Sequence, residues 1–245
     1  MRSVSDKRRP ANTARASLTA LAYSEEQFAI LGNRLSIDFA NTTSASDHPG
    51  GNLRTWDDLV DFLFATRLVD RNRSMSLKQL GRDSLGETQE LVRVALQLRD
   101  CLRSTFEAMA MRAPINPSWV HPINQILQLT DGHDELQELT PADQAAGRWA
   151  LQFVAREQRL EWLLAAIARS AAEIISEGPD APVRMCANPQ CGLFFYDTSR
   201  TGKRRWCSMA VCGNRHKVAG HARRLAAAAA DGKRRARPAS RRGKT

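Results

Sequence analysis

Acidic residues are almost missing from the two ends of this 245-residue chain, and long apolar runs are missing throughout. Residues 181–245 hold 16 Lys/Arg against two acids, Asp197 and Asp231, and residues 1–20 hold five basic residues against one acid. Residues 21–180 hold 15 basic and 23 acidic residues, so the net charge of +10 hides two basic ends around an acidic middle. Such a division points to different partners for different parts of the chain. No apolar stretch, Leu225–Ala230 included, approaches the ~20 residues that span a bilayer, which excludes a membrane-spanning helix, and no membrane partner is expected. The basic start MRSVSDKRRPANTARAS leads into no apolar core. It is therefore not a secretory signal, and the expected location is cytoplasmic. Also missing are a P-loop, a dinucleotide-binding glycine fingerprint, a Gly-x-Ser-x-Gly elbow and the His-x-Glu of zinc deaminases. His48, His121 and His133 stand in loops or polar stretches with no nucleophile beside them. The expectation is a binding protein, not an enzyme. A hydrophobic fraction of 42% with five Trp suffices for a packed core, and the length suits one medium domain plus something small.

Cysteine is scarce but ordered. Of the five, Cys186 and Cys191 form one x4 pair, and after fifteen residues Cys207 and Cys212 form another of identical spacing. Two close pairs on a short loop suit one tetrahedral, structural Zn²⁺. Pro189, Gly192 and Gly213 favour the turns this needs. A disulfide reading competes poorly in a reducing compartment. Four thiolates fill the coordination sphere, leave no position for a catalytic water, and give the centre a formal charge of −2. Arg184, Lys203, Arg204, Arg205 and Arg215 are close enough in sequence to offset it. Some 45 residues bury little core, so the metal is expected to fold the segment. Cys101 reads as a small buried hydrophobe.

The periodicity predicts a mainly α fold. A largely buried helix is expected from Glu25 to about Asn41, and a loop at Ser44–Asn52 ends it. A second helix over Trp56–Val69 is capped by Thr55, with Asp57 and Asp58 in its first turn. The stretch after Asp70 shows no clear pattern. Glu87–Arg112 is the plainest helix, with Leu91, Val94, Ala95, Leu98, Leu102, Phe106 and Met109 in one stripe. His121–Leu129 reads as a shorter helix, and one or two short strands fall between Leu127 and Ala155 around the polar linker Pro141–Gly147. Arg156–Ser176 is a last helix, closed by Gly178–Pro182, where the charge also changes sign. The expected domains are a disordered basic arm (1–20), a helical domain (21–180), a four-cysteine module (181–226) and a disordered basic tail (227–245). The module reads as turn, short strand (Leu193–Tyr196), turn and a helix from about Asn214, whose Val218, Ala219, Ala222 and Leu225 are expected to pack on the metal turn.

The run CANPQCGLFFYDTSRTGKRRWCSMAVCGNRHK resembles the bacterial CGNR zinc finger, whose name is spelled by Cys212, Gly213, Asn214 and Arg215. The likeness covers roughly residues 183–226, with Thr201-Gly202-Lys203 as a departure in its loop. LSIDFANT (Leu35–Thr42), the Trp56–Leu68 helix and Leu98-Arg99 resemble the ABATE domain that precedes such fingers. The family is described as stress-induced transcription regulators, so the resemblance implies zinc and DNA binding.

Duplex DNA attracts cations through its phosphates. The expected contacts are Arg200, Lys203, Arg204 and Arg205 in the loop and Lys217, Arg223 and Arg224 on the helix, with the helix placed in a major groove. Trp206 reads as core, His216 and His221 as surface residues, and Arg215 as a brace for the metal turn. In the helical domain Asp38 and Asn41 fall on a buried side, and a buried carboxylate needs a partner. Asp38, Asn41 and Arg99 are the candidates for a small-molecule pocket, or else Asp38 and Arg99 form a structural ion pair. The expected function is a zinc-dependent DNA-binding regulator whose helical domain senses a ligand or binds a partner. The alternatives are a zinc-stabilised protein-interaction module and an RNA binder.

Overall fold

The computed structural model describes residues 28–43, 52–129, 132–138, 149–155 and 160–235. The arm 1–20, most of the Ser44–Asn52 loop, the Pro141–Gly147 linker and residues 236–245 lie outside them. Packing divides the chain into two units, Met1–Cys207 and Ser208–Thr245.

In the first unit, α1 (Leu35–Ala40) is short and almost entirely buried. It does not reach back toward Glu25, because Gly32 and Asn33 turn the chain there. Asn33 sits at φ 62°, a left-handed conformation that a helix cannot contain. α2 (Trp56–Ala65) starts at a capping box: Asp58 N–H donates to the Thr55 hydroxyl, and Thr55 N–H donates to the Asp58 carboxylate at 2.9 Å. α3 (Arg71–Asp83) fills the stretch where the sequence shows no pattern. Asp70 caps it, accepting from Arg73 N–H at 2.7 Å. Only Ser74 and Leu77 of that helix are buried, which is why it leaves no legible stripe.

The 26-residue α4 (Leu85–Ala110) buries Leu91, Val92, Ala95, Leu98, Leu102, Phe106 and Met109, close to the expected stripe. Arg112 at φ 56° ends the run. α5 (Pro117–Leu129) and α6 (Trp162–Ser176) complete the helical layer. Between them, where one or two short strands are expected, β1 (Gly132–Glu138) pairs antiparallel with β2 (Trp149–Ala155), Glu135 opposite Gln152. Phe28 and Phe39 pack edge-on against Phe62 at 5.6 and 5.3 Å between ring centroids. A second hairpin, β3 (Val183–Met185) and β4 (Phe194–Tyr196), belongs to this unit as well. Ala181, Val183 and Phe194 are part of the same core as the helices.

The second unit is a π-helical turn, Met209–Gly213, running straight into α7 (Asn214–Arg235). Two expectations are corrected. The helix continues past 226 to Arg235, so the tail is not disordered from 227. Ala226–Ala230 are the strongest of helix formers and carry it on. And Val218 and Leu225 are 69% and 58% exposed, so this side of α7 does not pack on the metal turn. Among the described residues no helix is long and apolar enough to cross a membrane.

Candidate metal centre and basic surface

The β3–β4 hairpin delivers the first cysteine pair. Cys186 follows β3, and its N–H donates to the Leu193 carbonyl at 2.9 Å, extending the ladder by one step. Cys191 N–H donates to the Asn188 carbonyl at 2.9 Å and Gly192 takes φ 64°, so the loop closes tightly and turns both thiols inward. The second pair is tied to the first. Ala187 N–H donates to the Arg205 carbonyl at 2.8 Å, and Cys207 N–H reaches the Cys186 sulfur at 3.5 Å. Ser208 caps the turn that holds Cys212, accepting from Val211 N–H at 3.4 Å.

All four cysteines are buried, and their Sγ atoms lie within 4.8 Å of one another. A tetrahedral shell with metal–sulfur bonds of ~2.3 Å places its sulfurs about 3.8 Å apart, so the cluster has the size for one such ion. Cys191 and Cys207, at 3.5 Å, are far beyond the ~2.05 Å of a disulfide, and none of the four cysteines is disulfide-bonded. Thiolates this close cannot all ionise without a cation among them. Hydrogen bonds from the Cys191 and Cys207 thiols favour charge on Cys186 and lower its pKa to about 2. The bond to Cys186 in turn pushes Cys191 up to about 12 and Cys207 also upward. The donor set is therefore soft, closed and short of positive charge, which suits a thiophilic divalent metal.

Asp197 organises the loop that follows. It is buried, and it accepts from Ser199 N–H at 2.9 Å, Arg204 N–H at 3.0 Å and Arg184 Nε at 3.1 Å. Burial alone would raise its pKa, but the Ser199 and Arg204 hydrogen bonds and the Arg184 charge hold it below the usual carboxylate range. Gly202, at φ 59°, completes the turn, and its carbonyl accepts from Arg184 Nη2 at 2.6 Å. Arg200, Lys203 and Arg205 are left exposed. Arg204 is not. Its guanidinium lies over the Phe195 ring at 4.4 Å and donates to the carbonyls of Trp206 (2.9 Å), Leu31 (3.3 Å) and Cys207. It braces the metal knuckle, so it leaves the set of candidate phosphate contacts. Trp206 is buried, as core. On α7, Lys217, Arg223 and Arg224 are exposed, as are Arg215, His216 and His221.

Residues 33–178 match the ABATE family, described as "Putative stress-induced transcription regulator", and residues 183–225 match the CGNR zinc finger. The chain belongs to the ABATE family. No curated protein matches it. The two matched segments meet between 178 and 183, while packing divides the chain after Cys207, because the CGNR β3–β4 hairpin is built onto the ABATE core.

Within the ABATE domain, Asp38, Asn41 and Arg99 each bond to other groups than one another. Asp38 accepts from Gly32 N–H at 2.6 Å, and burial drives its pKa up to about 7 against the hydrogen bonds of Gly32 and Leu31. Its partners are backbone amides, so it needs no arginine. Arg99 pairs instead with Asp100 at 3.1 Å and donates to the carbonyls of Thr42 and Leu53 at 3.1 and 3.0 Å. Asn41 faces the finger: Nδ2 donates to the Phe194 carbonyl and Oδ1 accepts the Phe194 N–H, both at 2.9 Å. An open groove lies between α4 and α5, with Arg93, Gln97, Asp100, Cys101, Ser104 and Trp119 around it. Cys101 is only half-buried there. Sequence reasoning also misses Asp197, whose one signal is to be the lone acid in a basic stretch, and Asn33, which has none.

Proposed function

We propose that this chain is a transcription regulator that binds duplex DNA through a finger folded around one structural Zn²⁺, and whose ABATE domain answers to a ligand or partner. The observation that carries the reading is the convergence of four buried thiols in a segment that also holds Arg200, Lys203 and Arg205 on a pinned loop and Lys217, Arg223 and Arg224 on a helix, all exposed. Cys186, Cys191, Cys207 and Cys212 would hold the ion, and its charge would relieve the crowding of their thiolates. With four sulfur ligands the metal has no open position, which favours a binding role over catalysis. The exposed cations would neutralise phosphates, and the outward side of α7 is the candidate for groove contact.

Exposed Val218 and Leu225 favour a second reading, in which α7 docks on an acidic protein. Titration of the full-length, zinc-loaded protein against a random-sequence duplex and the same sequence as RNA separates these readings. Six neutralised phosphates would give a slope of log affinity on log salt near −5 for duplex DNA, from ~0.9 for each. Absence of duplex binding at ~50 mM salt would leave the protein-docking reading in place of this one. The full chain is required because the first cysteine pair stands on a hairpin packed into the ABATE core.

A further inference from the structure

The ABATE domain and the first half of the finger share bonds that neither needs for its own secondary structure. Asn41 is buried at the end of α1 and satisfies both backbone groups of Phe194. Successive strand residues face opposite ways, and β4 uses this. The Phe194 ring enters the helical core, 6.5 Å from the ring of Phe106, while Phe195 carries the guanidinium of Arg204. A second link runs through the turn at 31–33. The Gly32 carbonyl accepts from Tyr196 N–H at 2.8 Å, the Leu31 carbonyl accepts from Arg204, and Asn33 Nδ2 donates to the Tyr196 carbonyl at 3.1 Å. Asp38 holds that turn from the α1 side through Gly32 N–H. Arg204 then grips the carbonyl of Cys207.

We propose that these two latches, Asn41 on β4 and the 31–33 turn on Arg204, make the ABATE domain a determinant of how tightly the four thiols hold their metal. A hairpin with three residues per strand is too small to hold its own geometry. Pinned by Asn41, it presents Cys186 and Cys191 already positioned, and the ordering cost of metal binding falls. Coupling of this kind is reciprocal. Metal binding tightens α1 and the 31–33 turn, and any ligand or partner that displaces α1 weakens the metal site by the factor by which metal weakens that ligand. Asn41 and Asn33 are thus positioning residues for the metal centre, and the LSIDFANT segment is its link to the helical domain. The inference rests on the metal reading of the four thiols.

The test uses full-length protein with Co²⁺ as spectroscopic probe of the all-thiolate site and Zn²⁺ affinity from competition with a chelator. Asn41→Ala is expected to bind Zn²⁺ about tenfold more weakly, since it removes two hydrogen bonds to the hairpin. Asn33→Gly keeps the left-handed turn but gives up the bond to Tyr196, and roughly threefold weakening is expected. Gly81→Ala, which disturbs the helical core away from both latches, should stay within about twofold of wild type. Amide exchange over residues 31–42 should slow when metal is added. Unchanged affinity in a folded Asn41→Ala, with exchange at 31–42 indifferent to metal, would overturn the coupling. If Asn41→Ala does not fold, unchanged affinity in Asn33→Gly overturns it alone. Failure of wild type to give a tetrathiolate Co²⁺ spectrum would instead remove the metal reading on which the coupling stands.

Discussion

Burial of Asp38 makes the stability of the fold depend on pH. Asp38 is 5% exposed, and its pKa rises from 3.8 to about 7 on folding. At ~1.4 kcal/mol per pKa unit, the ionised form is disfavoured in the folded state by about 4 kcal/mol. Between pH 4 and 7 the folded chain keeps a proton that the unfolded chain has released. Stability therefore falls as pH rises through this window and is level above it. From pH 5 to 8 the contribution is a loss of about 3 kcal/mol. Asp38→Asn cannot ionise, yet its Oδ1 can still accept from Gly32 N–H. The stability of Asp38→Asn relative to wild type should thus grow by about 3 kcal/mol between pH 5 and 8, measured by urea unfolding at buffered free zinc. Protonation of the thiolates acts alike on both chains and cancels in the difference. Parallel curves, within ~0.5 kcal/mol across that range, would refute the burial argument.

Four further outcomes are expected. A Cβ at Gly81 would meet Trp56 Cδ1 at 2.2 Å and dislodge the indole from its 2.7 Å bond to the Leu77 carbonyl, so Gly81→Ala should lose about 2–3 kcal/mol after its gain in helix propensity. Gly86→Ala, with nothing within 4 Å, should gain up to ~1 kcal/mol, and thermal or urea unfolding compares the two. Cys191→Ser should retain no zinc by native mass spectrometry while most of the far-UV helical signal persists, since α1–α6 do not depend on that thiol. Replacing Lys217 and Arg224 together by Gln should lower the salt slope of duplex binding by roughly 2, because each neutralised phosphate adds ~0.9 to it. A slope equal to wild type would mean that these two side chains face something other than DNA.

Much of this is legible from local patterns. Thr55 declares its cap in sequence, with Asp57 and Asp58 in the first turn behind it, and the α4 stripe repeats a pattern that only one buried face produces. The four cysteines announce their cluster because metal ligation demands close pairs. What escapes is non-local. Asn41 and Phe194 stand 153 positions apart, and nothing in either residue type names the other. Asp38 looks in need of a cation because sequence shows side chains and not the backbone amides of residues 31 and 32. Arg204 reads like its neighbours as a phosphate contact, since composition cannot tell an inward arginine from an outward one. Residues 71–83 hide a helix because α3 buries too little to leave a stripe.

In the proposed regulator the metal organises the surface that meets DNA. This is tested most directly by the affinity of the full-length protein for duplex DNA at one moderate salt concentration, before and after zinc is removed by a chelator and again after it is restored. The expected result is at least a tenfold loss of affinity on removal, one ~1.4 kcal/mol step, recovered with zinc while the ABATE helices remain folded throughout. Affinity that is the same with and without zinc would overturn the zinc-dependent reading and leave the binding to charge alone.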